Sequence, residues 1–216
     1  IATLLIILLI LIDQIIKIVV KLNMNLGDSI HIFDWFQIQF IENNGMAWGM
    51  ELGSKLFLSV FRIVAIGFLI WYISNCIKRG ARMGYIIVLS MITAGAAGNI
   101  FDSLFYGQVF TASTPYYVEG ATPATLVSWG QGYAPVLMGK VVDMFYFPLF
   151  HGTFPDWFPV WGGESFTFFS PIFNFADSCI SVGVFIIILA FRKDFNGWVP
   201  AIEKKVSDKE NIADNQ

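Results

Sequence analysis

Eight polar side chains lie in stretches of this sequence that are otherwise apolar: Asp13, Lys17, Arg62, Asn99, Asp102, Asp143, Asn174 and Asp177. A charge held at mid-bilayer depth costs roughly 2.5–3.5 kcal/mol or more, so each one needs a reason. Their spacing pairs them. Asp13 and Lys17 are i, i+4, while Asn99 and Asp102, and Asn174 and Asp177, are i, i+3, so each pair shares a helix face. Asp143 interrupts the apolar run 141–147 just before Pro148, an odd place for a surface acid. Two carboxylates brought together in a low dielectric cannot both ionise easily; they share a proton and their apparent pKa values split. One then acts as base on a water while the other protonates the leaving group. Asp143 and Asp177 are the pair chosen for that chemistry.

Other assignments stay open on the residues alone. Asp13 and Lys17 suit a structural ion pair as well as a functional one. Asn99 suits an interhelical hydrogen bond, since Ala94, Gly95, Ala97 and Gly98 let backbones approach there. Arg62 is read as snorkelling to the outer headgroups. The loop residues Glu42, Asn43, Asn44 and Gly45 add a further polar cluster. Rival hydrolytic chemistries lack parts: there is no H-E-x-x-H, no G-x-S-x-G, and the two histidines, His31 and His151, sit in separate loops. No metal and no cofactor is expected. Cys76 and Cys179 read as buried apolar residues.

The elements that must position these groups follow from composition. The 216 residues are 56% hydrophobic and 13% charged, against about 25% charged in a typical soluble domain. That excess argues against a soluble domain, and a net charge of −3 gives no field to attract nucleic acid. The expected fold class is an all-α membrane protein. Four transmembrane helices are expected at about 1–22, 56–77, 84–105 and 170–191. A small extracytoplasmic β-sheet, from stretches 30–33 and 36–41, and an aromatic-rich outer loop region complete it. Ser170 and Pro171 are expected to start the fourth helix.

Residues 1–193 are read as a single membrane-embedded domain and 194–216 as a polar cytoplasmic tail. Lys78, Arg79, Arg82, Arg192, Lys193, Lys204, Lys205 and Lys209 oppose only Lys55 and Lys140, which places both termini in the cytoplasm. Segments 23–55 and 106–169 then face outward. Asp13, Asn99 and Asp102 fall in the outer halves of their helices, and Asp177 falls about 10 Å below the outer end of the fourth. The 15 Phe, Tyr and Trp residues of 107–168 suit the headgroup layer; a small separate extracytoplasmic core is the alternative. A proton- or ion-coupled small transporter is the rival function, but a relay should continue to the inner side, and segments two to four offer no ionisable group there.

Five motifs in order resemble the bacterial lipoprotein signal peptidases (signal peptidase II), a family of membrane aspartic proteases. They are Asp13-Gln14-x-x-Lys17, Asn43-x-Gly45-x-Ala47-Trp48, Gly98-Asn99-x-x-Asp102, Val141-Val142-Asp143, and Phe173-Asn174-x-Ala176-Asp177-Ser178. The resemblance spans 13–178. It implies an endopeptidase that removes the signal peptide from diacylglyceryl-modified prolipoproteins, cutting before the lipidated Cys. It implies Asp143 and Asp177 as the catalytic dyad, with Asp13, Lys17, Asn43, Gly45, Asn99, Asp102 and Asn174 binding substrate or orienting the site. Membrane lipid and globomycin-type inhibitors are the other implied partners, and the bacterial inner membrane the location. Two features depart from the family pattern: Ser103 stands where the family usually has Arg, and the outer region 107–169 is longer.

Overall fold

The computed structural model describes residues 1–44 and 52–195. Helix α1, Ala2–Asn23, is inside out by the standard of a soluble helix. It buries Asp13, Gln14, Lys17, Val20 and Lys21 and exposes Leu4, Leu8, Leu11, Ile15 and Val19. In water the apolar stripe turns to the core. When the surroundings are hydrocarbon, it is the polar stripe that must turn inward to find partners. Helices α2, Leu52–Lys78, and α3, Met83–Phe101, follow. The latter runs on through a π-helical turn, Asp102–Tyr106, into a three-residue helix α4, Gly107–Val109. Among the described residues, three helical stretches are long and apolar enough to cross a membrane: Ala2–Asn23, Lys55–Lys78 and Met83–Val109.

The fourth expected span is different. Helix α5 covers Phe175–Ala190, only 16 residues, or about 24 Å at 1.5 Å per residue, short of a hydrocarbon core of about 30 Å. Its start is not Ser170. Pro171 donates no N–H, and Ile172–Phe173 instead form a strand that pairs with residues 145–146. Asn174 is the N-cap: its side chain accepts from the Asp177 backbone N–H, and Asp177 accepts from the Asn174 N–H, a capping box. Asp177 therefore sits in the first turn of α5, not two turns down the helix.

The fold is not purely helical either. Strands β1 (Ser29–Phe33), β2 (Phe36–Asn43), β3 (Val141–Tyr146) and β6 (Ile172–Phe173) form an antiparallel sheet in the order β1-β2-β3-β6. Strands β4 (Phe150–Thr153) and β5 (Ser165–Phe168) form a separate hairpin. Under the main sheet, Val20, Met24, Phe40, Tyr106, Phe110, Val142 and Met144 make one apolar core. The outer region thus contributes both to that core, through Phe110, and to exposed rings such as Trp129 and Trp157.

Close helix contacts set the frame. A methyl on Gly95 would lie 2.3 Å from the Ala176 carbonyl oxygen of α5, and one on Gly98 would lie 2.6 Å from Asp13 Oδ2 of α1. Glycine at these two positions lets α3 approach the backbone of α5 at Gly95 and the Asp13 carboxylate of α1 at Gly98. An apolar groove of about 470 Å³ between α2, α3 and α5, lined by Phe68, Tyr72, Leu89 and Ile188 among others, holds none of the polar groups discussed above except Arg192 near its mouth.

Candidate active site

Lys17 is the hub of the buried polar cluster. Its Nζ lies 2.9 Å from Asp13 Oδ2, 2.9 Å from Asp102 Oδ2 and 2.8 Å from Asn99 Oδ1, with no solvent exposure. An ion group this deep survives only if its remaining lone pairs are also satisfied. They are. Asp13 Oδ1 accepts from the Ala176 N–H at 3.0 Å, so α1 supplies a carboxylate to the N-terminus of α5. Asp102 Oδ1 accepts from Gln14 Nε2 at 2.9 Å, and Oδ2 accepts from the Val142 N–H at 3.3 Å. The last bond ties the end of α3 to the strand that carries Asp143.

Two asparagines extend the cluster to the proposed dyad. Asn99 donates to Asp177 Oδ1 at 2.7 Å. Asn174 donates to Asp143 Oδ1 at 2.6 Å and to Asn99 Oδ1 at 3.1 Å. Asp143 and Asp177 are therefore joined through two side-chain amides. The sheet explains how distant sequence meets here. Phe145 pairs with Phe173 across β3 and β6. Asp143 lies two residues back along β3 and Asn174 one residue on from β6, so antiparallel pairing brings them together. Asp143 points away from its neighbours Val142 and Met144, which fill the apolar core on the opposite face. Asn43 shares Asp143's face through the β2–β3 register and hydrogen-bonds its carboxyl.

Asp143 is buried and lies on a strand outside the spanning helices. Burial, and then the neighbouring charge of Asp177, push its carboxyl up to about 7, against the hydrogen bonds from Asn174 and Asn43. It is thus poised to hold a proton near neutrality. Asp177 is half-buried at the start of α5.

Of the residues expected from sequence, Asp13, Lys17, Asn43, Asn99, Asp102, Asp143, Asn174 and Asp177 all fall into one connected cluster; Gly45 lies outside the described residues. Arg62 on α2 is within electrostatic reach of Asp177, Asp143 and Asp102. Ser103 is buried and bonds back to the Asn99 carbonyl, so the usual Arg position carries no cation. Gln14, quoted in the first motif but given no role there, also donates to Asp13 and the Gly98 carbonyl and accepts from Tyr106. Sequence reasoning missed a second ionic group. Lys21 Nζ is 2.5 Å from Glu42 Oε1, and Lys140 Nζ is 3.1 Å from Glu42 Oε2, with Ser113 donating to Glu42 at 2.7 Å. The signal was available: Lys21 continues the 13–17 spacing by one more turn.

Comparison with known proteins gives a consistent result. A family model described as signal peptidase (SPase) II matches residues 5–193. A lipoprotein signal peptidase of Porphyromonas gingivalis is 51% identical over 190 residues, covering 88% of this chain and 81% of the relative. One from Amoebophilus asiaticus is 35% identical over 209 residues, covering 93% and 82%. A solved structure described as a bacterial membrane enzyme is similar with a TM-score of 0.60 and 25% identity, covering 89% of this chain and 93% of its own.

Proposed function

The chain belongs to the signal peptidase II family, and from that premise we propose that it is an aspartic endopeptidase of the bacterial inner membrane. It removes the signal peptide from diacylglyceryl-modified prolipoproteins, cutting just before the lipidated Cys. Four helices embed it, α5 crossing with the help of its flanking residues. Both termini lie in the cytoplasm, and the site faces the outer leaflet. The observation that carries the mechanism is the bridge from Asp177 through Asn99 and Asn174 to Asp143.

A water between the two carboxyls attacks the scissile carbonyl. Asp177 takes the water's proton while Asp143 gives its own to the carbonyl oxygen, forming a neutral gem-diol. Asp177 then protonates the departing amine and Asp143 recovers a proton from the diol, which returns the dyad to its starting state. Asn99 and Asn174 fix the carboxyl orientations. Lys17, Asp13 and Asp102 hold the helices that present them, and Asn43 steadies the Asp143 carboxyl by its hydrogen bond. The chemistry needs no metal or cofactor. A globomycin-type cyclic peptide should compete with substrate for the same cleft.

The test is prolipoprotein cleavage, followed by gel mobility, with Asp143→Asn and Asp177→Asn in purified form. Both should retain the wild-type thermal transition and the globomycin site while losing at least about 10³-fold in turnover. Wild-type turnover in either would sink the dyad.

A further inference from the structure

The outer region contains a device that the cluster above does not use. Between Pro148 and Ser170 the chain makes the hairpin β4–β5, closed by an eleven-residue turn, 154–164. Its rings stack along its length. Phe150 lies 4.7 Å from Phe168, Phe154 lies 4.6 Å from Phe166 and 5.1 Å from Phe158, and Phe158 lies 6.1 Å from Trp161. That stack stiffens the hairpin without hiding it. Trp157 is 79% exposed and Val160 87% exposed, and Leu149, Phe150, Trp161 and Phe168 are exposed as well. Contiguous apolar surface of this kind is rare against water.

Two further observations select the occupant. Val160 is held at φ 74°, a left-handed conformation that is a true outlier for a β-branched residue. Strain of this sort persists where the surroundings over-determine it, and here it presents an aliphatic side chain outward beside two tryptophans. The hairpin also has no Lys or Arg: from 141 to 191 the charged groups are Asp143, Asp156, Glu164 and Asp177, beside one histidine, His151, whose ring bonds Thr167 across the hairpin. The root of the hairpin joins the ring series Trp35, Phe147 and Phe173, at 6.2 and 5.6 Å, which ends one residue before the N-cap of α5. The exposed rings are thus continuous with the level at which α5 enters its apolar surroundings.

We propose that the β4–β5 hairpin is a membrane foot, its Trp157–Val160–Trp161 tip seated in the headgroup layer of the outer leaflet on zwitterionic phospholipid. Amphipathic rings favour that layer, and the acidic character of the hairpin gives it no attraction for anionic headgroups. The inference rests on the outward placement of the site proposed above.

The experiment uses the full-length protein in phosphatidylethanolamine–phosphatidylcholine vesicles. Both native cysteines, Cys76 and Cys179, are buried, so Val160→Cys can be labelled selectively with an environment-sensitive fluorophore. Glu119→Cys, at an exposed acidic position in a different turn of the outer region, is the control. The Val160→Cys label should be quenched several-fold more by a headgroup-level lipid quencher than the control, be protected from aqueous iodide, and gain nothing from added anionic lipid. Equal quenching at the two positions, with full access to iodide, would overturn the proposal. So would protection that arises only when a second protein is added. Loss of the dyad assignment leaves this result untouched, because labelling is read without substrate and can be repeated in Asp143→Asn.

Discussion

At the scale of single residues, the proposed mechanism divides the buried charges into those that react and those that hold. Asp143 is raised to about 7 by burial and by Asp177, and the proposed mechanism needs it protonated. The pH–rate profile should therefore show a falling limb near pH 7 as that proton is lost. A profile flat over roughly pH 5–9 would reject Asp143 as the proton carrier. Stability carries the same sign. A carboxyl whose folded pKa lies above its unfolded value contributes stability at low pH and loses it as pH rises through about 7. Asp143→Asn should flatten that slope. Lys17 behaves otherwise. Lys17→Met would leave Asp13 and Asp102 buried without a cation, a loss of about 3–5 kcal/mol, and adding Asp102→Asn should recover part of it in a thermal melt. An additive double variant would show that the two are not coupled. These residues were legible because carboxylates and amides in apolar runs are expensive. The role of Gln14 was not, since its partners Gly98, Asp102 and Tyr106, at the end of α3 and in the π-helical turn, reach it only through the fold.

At the scale of elements, helix existence was easier to read than helix ends. Helices α1, α2 and α3 fall close to the expected segments, since twenty apolar residues admit few alternatives. The start of α5 was misplaced by five residues, because Ser170-Pro171 and Asn174-x-x-Asp177 both look like helix starts. What decides between them is tertiary: β3 offers Ile172 and Phe173 a pairing edge that sequence does not display. The consequence is functional, since it moves Asp177 into the capping box and beside Asp143's strand. Packing of α3 on α5 is equally specific. Gly95→Ala would put a methyl 2.3 Å from a backbone carbonyl that cannot yield, so it should cost about 1–3 kcal/mol. It should also separate Asn99 from Asp177 and reduce turnover by more than the stability loss explains. Gly67→Ala is the control: nothing lies within 4 Å of the added methyl, and removing a mid-helix glycine should stabilise by up to about 1 kcal/mol. Equal effects from the two variants would show that α3–α5 contact does not set the site.

At the scale of the whole molecule, Glu42 is one of the buried anions that fasten the outer region to the helices. Glu42, on the sheet, faces Lys21 of α1 on one side and Lys140, three residues before Asp143, on the other, while Ser113 brings in the segment after α4. Rings of Phe110 and Tyr133 pack over Lys21 at 5.4 and 5.1 Å, shutting out water. Burial alone would raise the Glu42 carboxyl, but the Lys21 charge and hydrogen bonds from Lys21 and Ser113 hold it below the usual range. The linkage sign is thus opposite to Asp143: this clamp contributes stability above the ordinary glutamate pKa and loses it as pH falls through the depressed value. Glu42→Gln should cost about 3–5 kcal/mol, because it strands Lys21 in an apolar pocket. The loss should extend to function, since β2 also presents Asn43 to Asp143. Adding Lys21→Met removes the stranded cation and should restore most of the melting temperature. It should not restore full turnover, because the tie to Lys140 and the strand register it steadies would still be missing. Recovery of both together would make the clamp purely structural; recovery of neither would mean that Lys21 and Glu42 are not the pair that fastens the outer region.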